Sequence, residues 1–217
     1  MNIFLYLFFS SIEWLALILL MFAMFKFRLQ GYWGQVILTS AIMSLLSHFV
    51  FQVIEIRFLA TTLQPPVIFL FLWQMFRIQI FYSGVMTIYG YMAYMALQTA
   101  VMLVATNFGI SYESIVPNSL SLYVIQTFTI LTTVIVLWLL HRFRIGYSFV
   151  PDYEYSPVIL KGINFRLLLL TLVGYGWISV SYYITFSPIT PTLLKLLVFI
   201  ILGVLLYYAQ KKENAND

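Results

Sequence analysis

Apolar residues come in this chain as a succession of long runs, each about as long as a bilayer is thick, and nothing else in it constrains the fold so strongly. A hydrocarbon layer of about 30 Å calls for about 20 apolar residues in helical form, because no water is present there to bond free peptide groups. Seven such runs can be marked: Ile3 to Phe25, Gly34 to Ile54, a stretch between Phe58 and Tyr82, Gly84 to Thr106, Ser119 to Leu140, Phe165 to Phe186, and Thr192 to Ala209. Between them lie helix breakers, among them Asn107, Gly109, Pro117 and Asn118 after the fourth run and Pro188 and Pro191 before the seventh. Pro65 and Pro66 are expected in the first turn of the third helix, where a missing N–H costs no bond. With 63% hydrophobic and 8% charged residues, the chain lacks the polar surface of a soluble domain. The fold expected is all-α: a polytopic integral membrane bundle of seven transmembrane helices over residues 1–209, followed by a short polar tail, 210–217. The first run is too long for a signal-peptide core and lacks a charged leader and a cleavage site, so it is expected to stay as a helix.

Basic residues near span ends are retained in the cytoplasm. With the N-terminus outside, Lys26, Arg28, Arg77, Arg142, Arg144, Lys161, Arg166, Lys211 and Lys212 all fall inside, leaving Arg57 and Lys195 for the other face. Nine against two predicts N-terminus out, C-terminus in, and an odd number of spans in a multi-pass protein of the cell membrane, a bacterial inner membrane. The same scatter of basic residues between apolar runs makes no basic face, so nucleic acid is not an expected partner; the bilayer is.

Polar groups buried in hydrocarbon without a partner cost several kcal/mol, so those in the runs should face one another or a cavity. Ser40, Ser44, His48 and Gln52 recur at steps of four in the second run, and Thr87, Tyr91, Tyr94 and Gln98 at steps of four, three and four in the fourth. Gln126, Thr129 and Thr133 form a third stripe, and Glu13 is the one acid deep inside a run. At 1.5 Å per residue, Glu13 lies about 15 Å from the outer end of its run, Gln98 about 12 Å, Gln126 about 10 Å and His48 about 9 Å, so four helices offer polar groups at a similar level. Two readings stand side by side. Either these groups are hydrogen-bond glue between helices, or they line an outward ligand pocket whose candidates are Glu13, His48, Gln52, Tyr94, Gln98 and Gln126, with Glu13 and His48 paired at its floor. Tyr82, Tyr123, Trp138, Tyr147, Tyr207 and Tyr208 fall where interfacial aromatics are enriched; Gly174, Gly176, Ala93, Ala96 and Ala100 are small enough for close helix approach.

Little in the chain points to catalysis. It contains no cysteine, its two histidines lie on opposite sides of the membrane, and no aspartate falls inside a run, so thiol, zinc-protease and intramembrane aspartyl chemistries lack their residues. No glycine loop for a phosphate or dinucleotide is present. The expectation is a non-enzyme with no metal site and no cofactor. Its one sizeable loop, Ile145 to Asn164, mixes Tyr147, Phe149, Val150, Tyr153, Tyr155, Val158, Ile159 and Leu160 with Asp152, Glu154 and Lys161. Such a loop either lies on the inner leaflet or docks a protein partner through Tyr153, Glu154 and Tyr155.

The layout of seven spans with the N-terminus outside, a short outer loop before the third span and a large basic inner loop after the fifth resembles the membrane sensor domain of bacterial peptide-pheromone-sensing histidine kinases. Phe76-Arg77-Ile78-Gln79-Ile80-Phe81-Tyr82-Ser83 looks like the turn after the third span in that family. The likeness implies an extracellular small ligand or peptide and signal transduction. The phospho-accepting helix and ATP-binding domain that follow in the family have no counterpart here, so it implies an orphan sensor domain acting through a separate cytoplasmic or membrane protein. A small substrate-binding membrane subunit of a transporter, or a structural or assembly protein, are the other expected roles.

Overall fold

In the computed structural model, residues 3–54, 57–110, 119–151, 158–186 and 192–215 are described. They form seven α-helices: α1 (Ile3–Met24), α2 (Trp33–His48), α3 (Arg57–Gln74), α4 (Ile80–Asn107), α5 (Leu120–Arg142), α6 (Ile163–Phe186) and α7 (Thr192–Glu213). No strand occurs among the described residues. Among the described residues five segments are long and apolar enough to cross a membrane: Ile3–Met24, Trp33–Ile54, Ile80–Asn107, Leu120–Arg142 and Ile163–Ser181. Their outer faces carry unpaired apolar side chains such as Phe4, Ile37, Leu45, Leu131, Ile135 and Leu172, the surface a protein presents to lipid rather than to water. α4 is the central helix. It touches α1, α3, α5, α6 and α7, and its side chains from Tyr82 to Tyr94 are buried on all sides but for Gly84, as befits a helix apolar all round.

The helices alternate in direction. The beginning of α1 meets the end of α2, where Tyr6 packs edge-on against His48 at 5.4 Å. The end of α1 meets the turn after α3, where Phe22 lies 5.0 Å from Phe76. One end of the bundle therefore gathers the loops and helix ends that carry Lys26, Arg28, Arg77, Arg142, Arg144, Lys161 and Arg166, with Lys211 and Lys212 closing α7. This basic end is sealed by rings. Phe25 packs against Tyr89, Tyr147 and Phe149 at 6.0, 5.8 and 5.7 Å, and Phe27 and Tyr32 extend the set.

Helix termination differs between the two ends. At α1 the N–H of Lys26 bonds Ala23 O and that of Phe27 bonds Phe22 O, and at α5 Arg144 and Ile145 repeat the pattern on His141 O and Leu140 O. This double bond set needs a left-handed residue just past the helix, ordinarily glycine. Here the position is held by Lys26 (φ 47) and Arg144 (φ 53), and Arg77 (φ 55) stands likewise in the turn after α3. α4, which finishes at the opposite end, uses Gly109 (φ 86). A cation at a helix C-terminus offsets the negative pole of the dipole, by about 0.3–1 kcal/mol.

Two expectations need correction. Pro65 and Pro66 lie well inside α3, which begins at Arg57. Proline at 66 frees the carbonyl four residues back, and that carbonyl, Thr62 O, accepts instead from the hydroxyl of Tyr175 on α6 at 3.0 Å. An interhelical bond thus stands in for the missing intrahelical one. The second run is not α-helical throughout either: Phe49–Ile54 forms a π-helix. Its wider turn takes Gln52 off the four-residue stripe that holds Ser40, Ser44 and His48.

Candidate functional site

Glu13 sits on α1 with its side chain partly exposed, and its two carboxyl oxygens bridge two other helices. The hydroxyl of Tyr94, on α4, donates to Oε1 at 3.0 Å. The amide of Gln126, on α5, donates through Nε2 to Oε2 at 3.0 Å. Each oxygen accepts from a neutral donor, the arrangement that lets a carboxyl group sit at this depth, since hydrogen bonds replace the water it has lost. Among the described residues no cation pairs with it.

The surroundings retain hydrogen-bonding capacity. Oε1 of Gln126 and the hydroxyl of Tyr91, on the same stripe of α4 as Tyr94, are buried and bond to nothing among the described residues. Tyr91 is held by ring contact, edge-on to Trp14 at 5.9 Å. Trp14 in turn donates through Nε1 to Ser47 Oγ at 3.0 Å, and Gln64 Nε2 donates to the same oxygen at 2.9 Å, so α1, α2 and α3 are tied at one point. Neither Trp14 nor Gln64 stands out in the sequence, since indoles and amides in apolar runs carry no signature of their partner. The site is therefore a carboxyl group with aromatic neighbours and spare donor and acceptor positions, and it suits a ligand that donates several hydrogen bonds.

The other candidates are distributed around it. His48 faces Tyr6, which stands seven residues, about 10 Å, before Glu13 on α1. The expected Glu13–His48 pair is thus replaced by Glu13–Tyr94–Gln126, an axial offset having separated residues whose depths seemed matched. Nε2 of His48 is buried without a partner among the described residues. Gln98 lies one turn beyond Tyr94 and makes no hydrogen bond among the described residues, and Gln52 is in the π-helix. Thr129 and Thr133 turn their hydroxyls back onto Ile125 O and Thr129 O, and Ser44 donates to Leu7 O at 3.0 Å. Only the Ser44 bond joins two helices and acts as glue, worth about 0.6–2 kcal/mol; the two threonine bonds stay within α5.

Tyr153, Glu154 and Tyr155 lie outside the described residues. The part of their loop that is described folds back on the bundle: Phe149 and Val150 are buried, and Tyr147 donates its N–H to Met24 O at 2.8 Å and its hydroxyl to Leu206 O at 3.1 Å. Tyr82, expected at an interface, is buried beside Phe149, whereas Trp138 and Tyr207 are exposed. In the stretch between α3 and α4, Gln79 caps α4 by accepting from the N–H groups of Phe81 and Tyr82 at 2.9 and 3.3 Å. No three His, Asp or Glu side chains cluster to hold a metal among the described residues. No family model matches the chain, and neither a curated protein nor a solved structure is significantly similar to it.

Proposed function

We propose that this chain is a seven-span membrane protein with its N-terminus outside and its basic end in the cytoplasm, acting as a non-enzymatic, receptor-like protein. Its ligand enters from the outside and carries an ammonium group, either that of a small amine or the N-terminus of a peptide, which Glu13 accepts. The signal passes to a separate membrane or cytoplasmic protein, which the layout-level likeness to the membrane sensor domain of peptide-pheromone-sensing histidine kinases suggests. The observation that carries this reading is one carboxyl group joined to α4 and α5 beside a buried hydroxyl and a carbonyl that lack partners among the described residues. Glue alone needs no such surplus. A structural protein would be expected to satisfy nearly all the groups it buries.

The test uses the purified full chain with butylammonium as probe and thermal unfolding as readout. The probe should raise the midpoint for the parent and not for Glu13→Gln. That variant should fold normally, because the Gln126 amide can turn its free Oε1 toward the new amide. Glu13→Leu should lose about 2 kcal/mol of stability by stranding the Tyr94 and Gln126 donors. A Glu13→Gln protein that answers the probe like the parent leaves only the structural role. Topology is checked separately: a reporter active in the cytoplasm should work when fused after Lys212 and be silent at Glu113, and activity at both overturns the orientation.

A second reading, the substrate-binding subunit of a transporter, draws on the irregular helices next to the site, the π-helix and the two prolines inside α3. Interrupted helices line the pathways of many transporters. Labelled methylammonium accumulating inside proteoliposomes of the chain would favour transport over reception.

A further inference from the structure

A second site lies at the basic end, apart from Glu13. A cavity of about 300 Å³ opens there, lined by Phe25, Lys26, Arg28, Ser148, Val150 and Pro151. Lys26 and Arg28 are exposed, and neither forms an ion pair among the described residues. Ser148 belongs at the same time to a tight anion-binding arrangement. Its N–H donates to both carboxylate oxygens of Glu213 at 2.9 and 2.8 Å, its hydroxyl to Oε1 at 2.6 Å, and the N–H of Phe149 to Oε2 at 3.1 Å. Two successive amides and a hydroxyl converging on one anion make a nest.

The nest is rigid. Gly146 (φ 151) passes so close to α1 that a Cβ would stand 2.9 Å from both Ala23 O and Met24 O, and Tyr147 is fixed to α1 and α7 by its two hydrogen bonds. Burial and the neighbouring Glu213 charge push the Tyr147 hydroxyl above its ordinary pKa, which keeps it a donor. Phe149 and Val150 anchor the far side in the core. The donors are thus preorganised, and the acid that fills them comes from the last turn of α7.

A carboxylate offers two oxygens and one charge, whereas a phosphate offers more oxygens in a tetrahedral array and can meet amides and cations together. We propose that this cavity binds a phosphate-bearing group through Lys26, Arg28 and the Ser148 nest, and that Glu213 holds the nest as the chain's own anion until that group displaces it. At the end of a membrane bundle such a group comes either from an anionic phospholipid headgroup or from a soluble phosphate. Binding would release the end of α7 and so give the basic end two states.

The experiment takes the full chain in detergent and measures thermal stability and bound-lipid adducts by native mass spectrometry, with phosphatidylglycerol, phosphatidylcholine or inorganic phosphate added. Phosphatidylglycerol should raise the midpoint and remain bound, and the Lys26→Gln, Arg28→Gln double variant should bind it about tenfold more weakly while unfolding, without lipid, within a few degrees of the parent. Glu213→Gln should bind it more tightly, because a neutral amide competes less well for the nest. A response to phosphatidylglycerol alone assigns the site to a lipid headgroup, and an equal response to inorganic phosphate assigns it to soluble phosphates. Equal retention of phosphatidylcholine, an unaltered double variant, or no response at all overturns the site. A Glu213→Gln protein with unchanged or weaker binding overturns the displacement.

Discussion

Around Glu13 the helices are joined by a few directional hydrogen bonds, while at the basic end α1, the α3–α4 turn and the Tyr147–Val150 loop are joined by ring faces and edges as well as by the bonds of Tyr147 and Ser148. The first region uses Tyr94, Gln126, Trp14, Ser47 and Gln64 and leaves Tyr91 and Gln126 with unused capacity. The second uses Phe22, Phe25, Phe76 and Tyr89, all at 2% exposure or less, and there too one hydroxyl, that of Tyr89, has no partner among the described residues. Hydrogen bonds fix angle and depth but tolerate gaps, so a region built on them can admit a new donor or acceptor. Close ring packing does not tolerate gaps, and each aromatic pair adds about 0.5–1.5 kcal/mol beyond its burial. The first region is thus joined by a few bonds with hydrogen-bonding capacity to spare, and the second by ring packing around Phe25.

The largest effect should come from forcing apart a packed contact. A Cβ at Gly90, on α4, would stand 2.1 Å from Cγ of the fully buried Met21 on α1. Gly90→Leu should therefore cost about 3 kcal/mol. Gly176→Leu, where no atom lies within 4 Å, should be nearly neutral. Thermal unfolding of both in detergent checks the contrast, and equal midpoints would mean that α1 and α4 do not touch there. A smaller loss is expected for a single directional bond. Tyr175→Phe strands the Thr62 carbonyl and should cost about 1–2 kcal/mol. On a Pro66→Ala background, where an N–H returns to that carbonyl, the same change should cost clearly less, and additive losses would show that the hydroxyl is not replacing the missing bond.

The smallest effect is one of pH at the packed end. The Tyr147 hydroxyl is held above its ordinary value of about 10 by burial first and by Glu213 second. The unfolded chain therefore releases this proton at lower pH than the folded one, so its contribution is intact below about pH 10 and is lost as pH rises toward the folded value. Tyr147→Phe should flatten that part of a stability–pH curve measured from pH 8 to 11, and an unchanged slope would assign it to other groups.

Much of this was legible in the residues because a bilayer makes length and depth readable. Run lengths placed the helices within a few residues, except that α3 ends eight residues before its run does, and counting along them put Glu13 and Gln126 at a similar level, with Gln98, one turn from Tyr94, as the expected member from α4. Rotation about the helix axes and side-chain reach were not legible. His48 was matched to Glu13 by depth, yet its ring meets Tyr6. Proline's cost was judged within its own helix, and a hydroxyl on α6 removes it. Gly90 drew no notice beside Gly174 and Gly176, since only three-dimensional packing tells which glycine faces a neighbour. The Ser148–Glu213 contact joins residues 65 apart through backbone N–H groups, which have no signature in side-chain spacing.

Lys26 and Arg144 each perform two tasks that pull in opposite directions. Their left-handed backbone would be relaxed by glycine, so selection for heat resistance alone should replace them. In the proposed orientation their charges also tell the insertion machinery which side is cytoplasm, a signal read once, during synthesis, and never again. A thermostabilised Lys26→Gly, Arg144→Gly chain would then be a better-folded molecule of which a larger fraction is inserted upside down. Yield of correctly oriented protein and resistance to heat should trade against each other at these two codons.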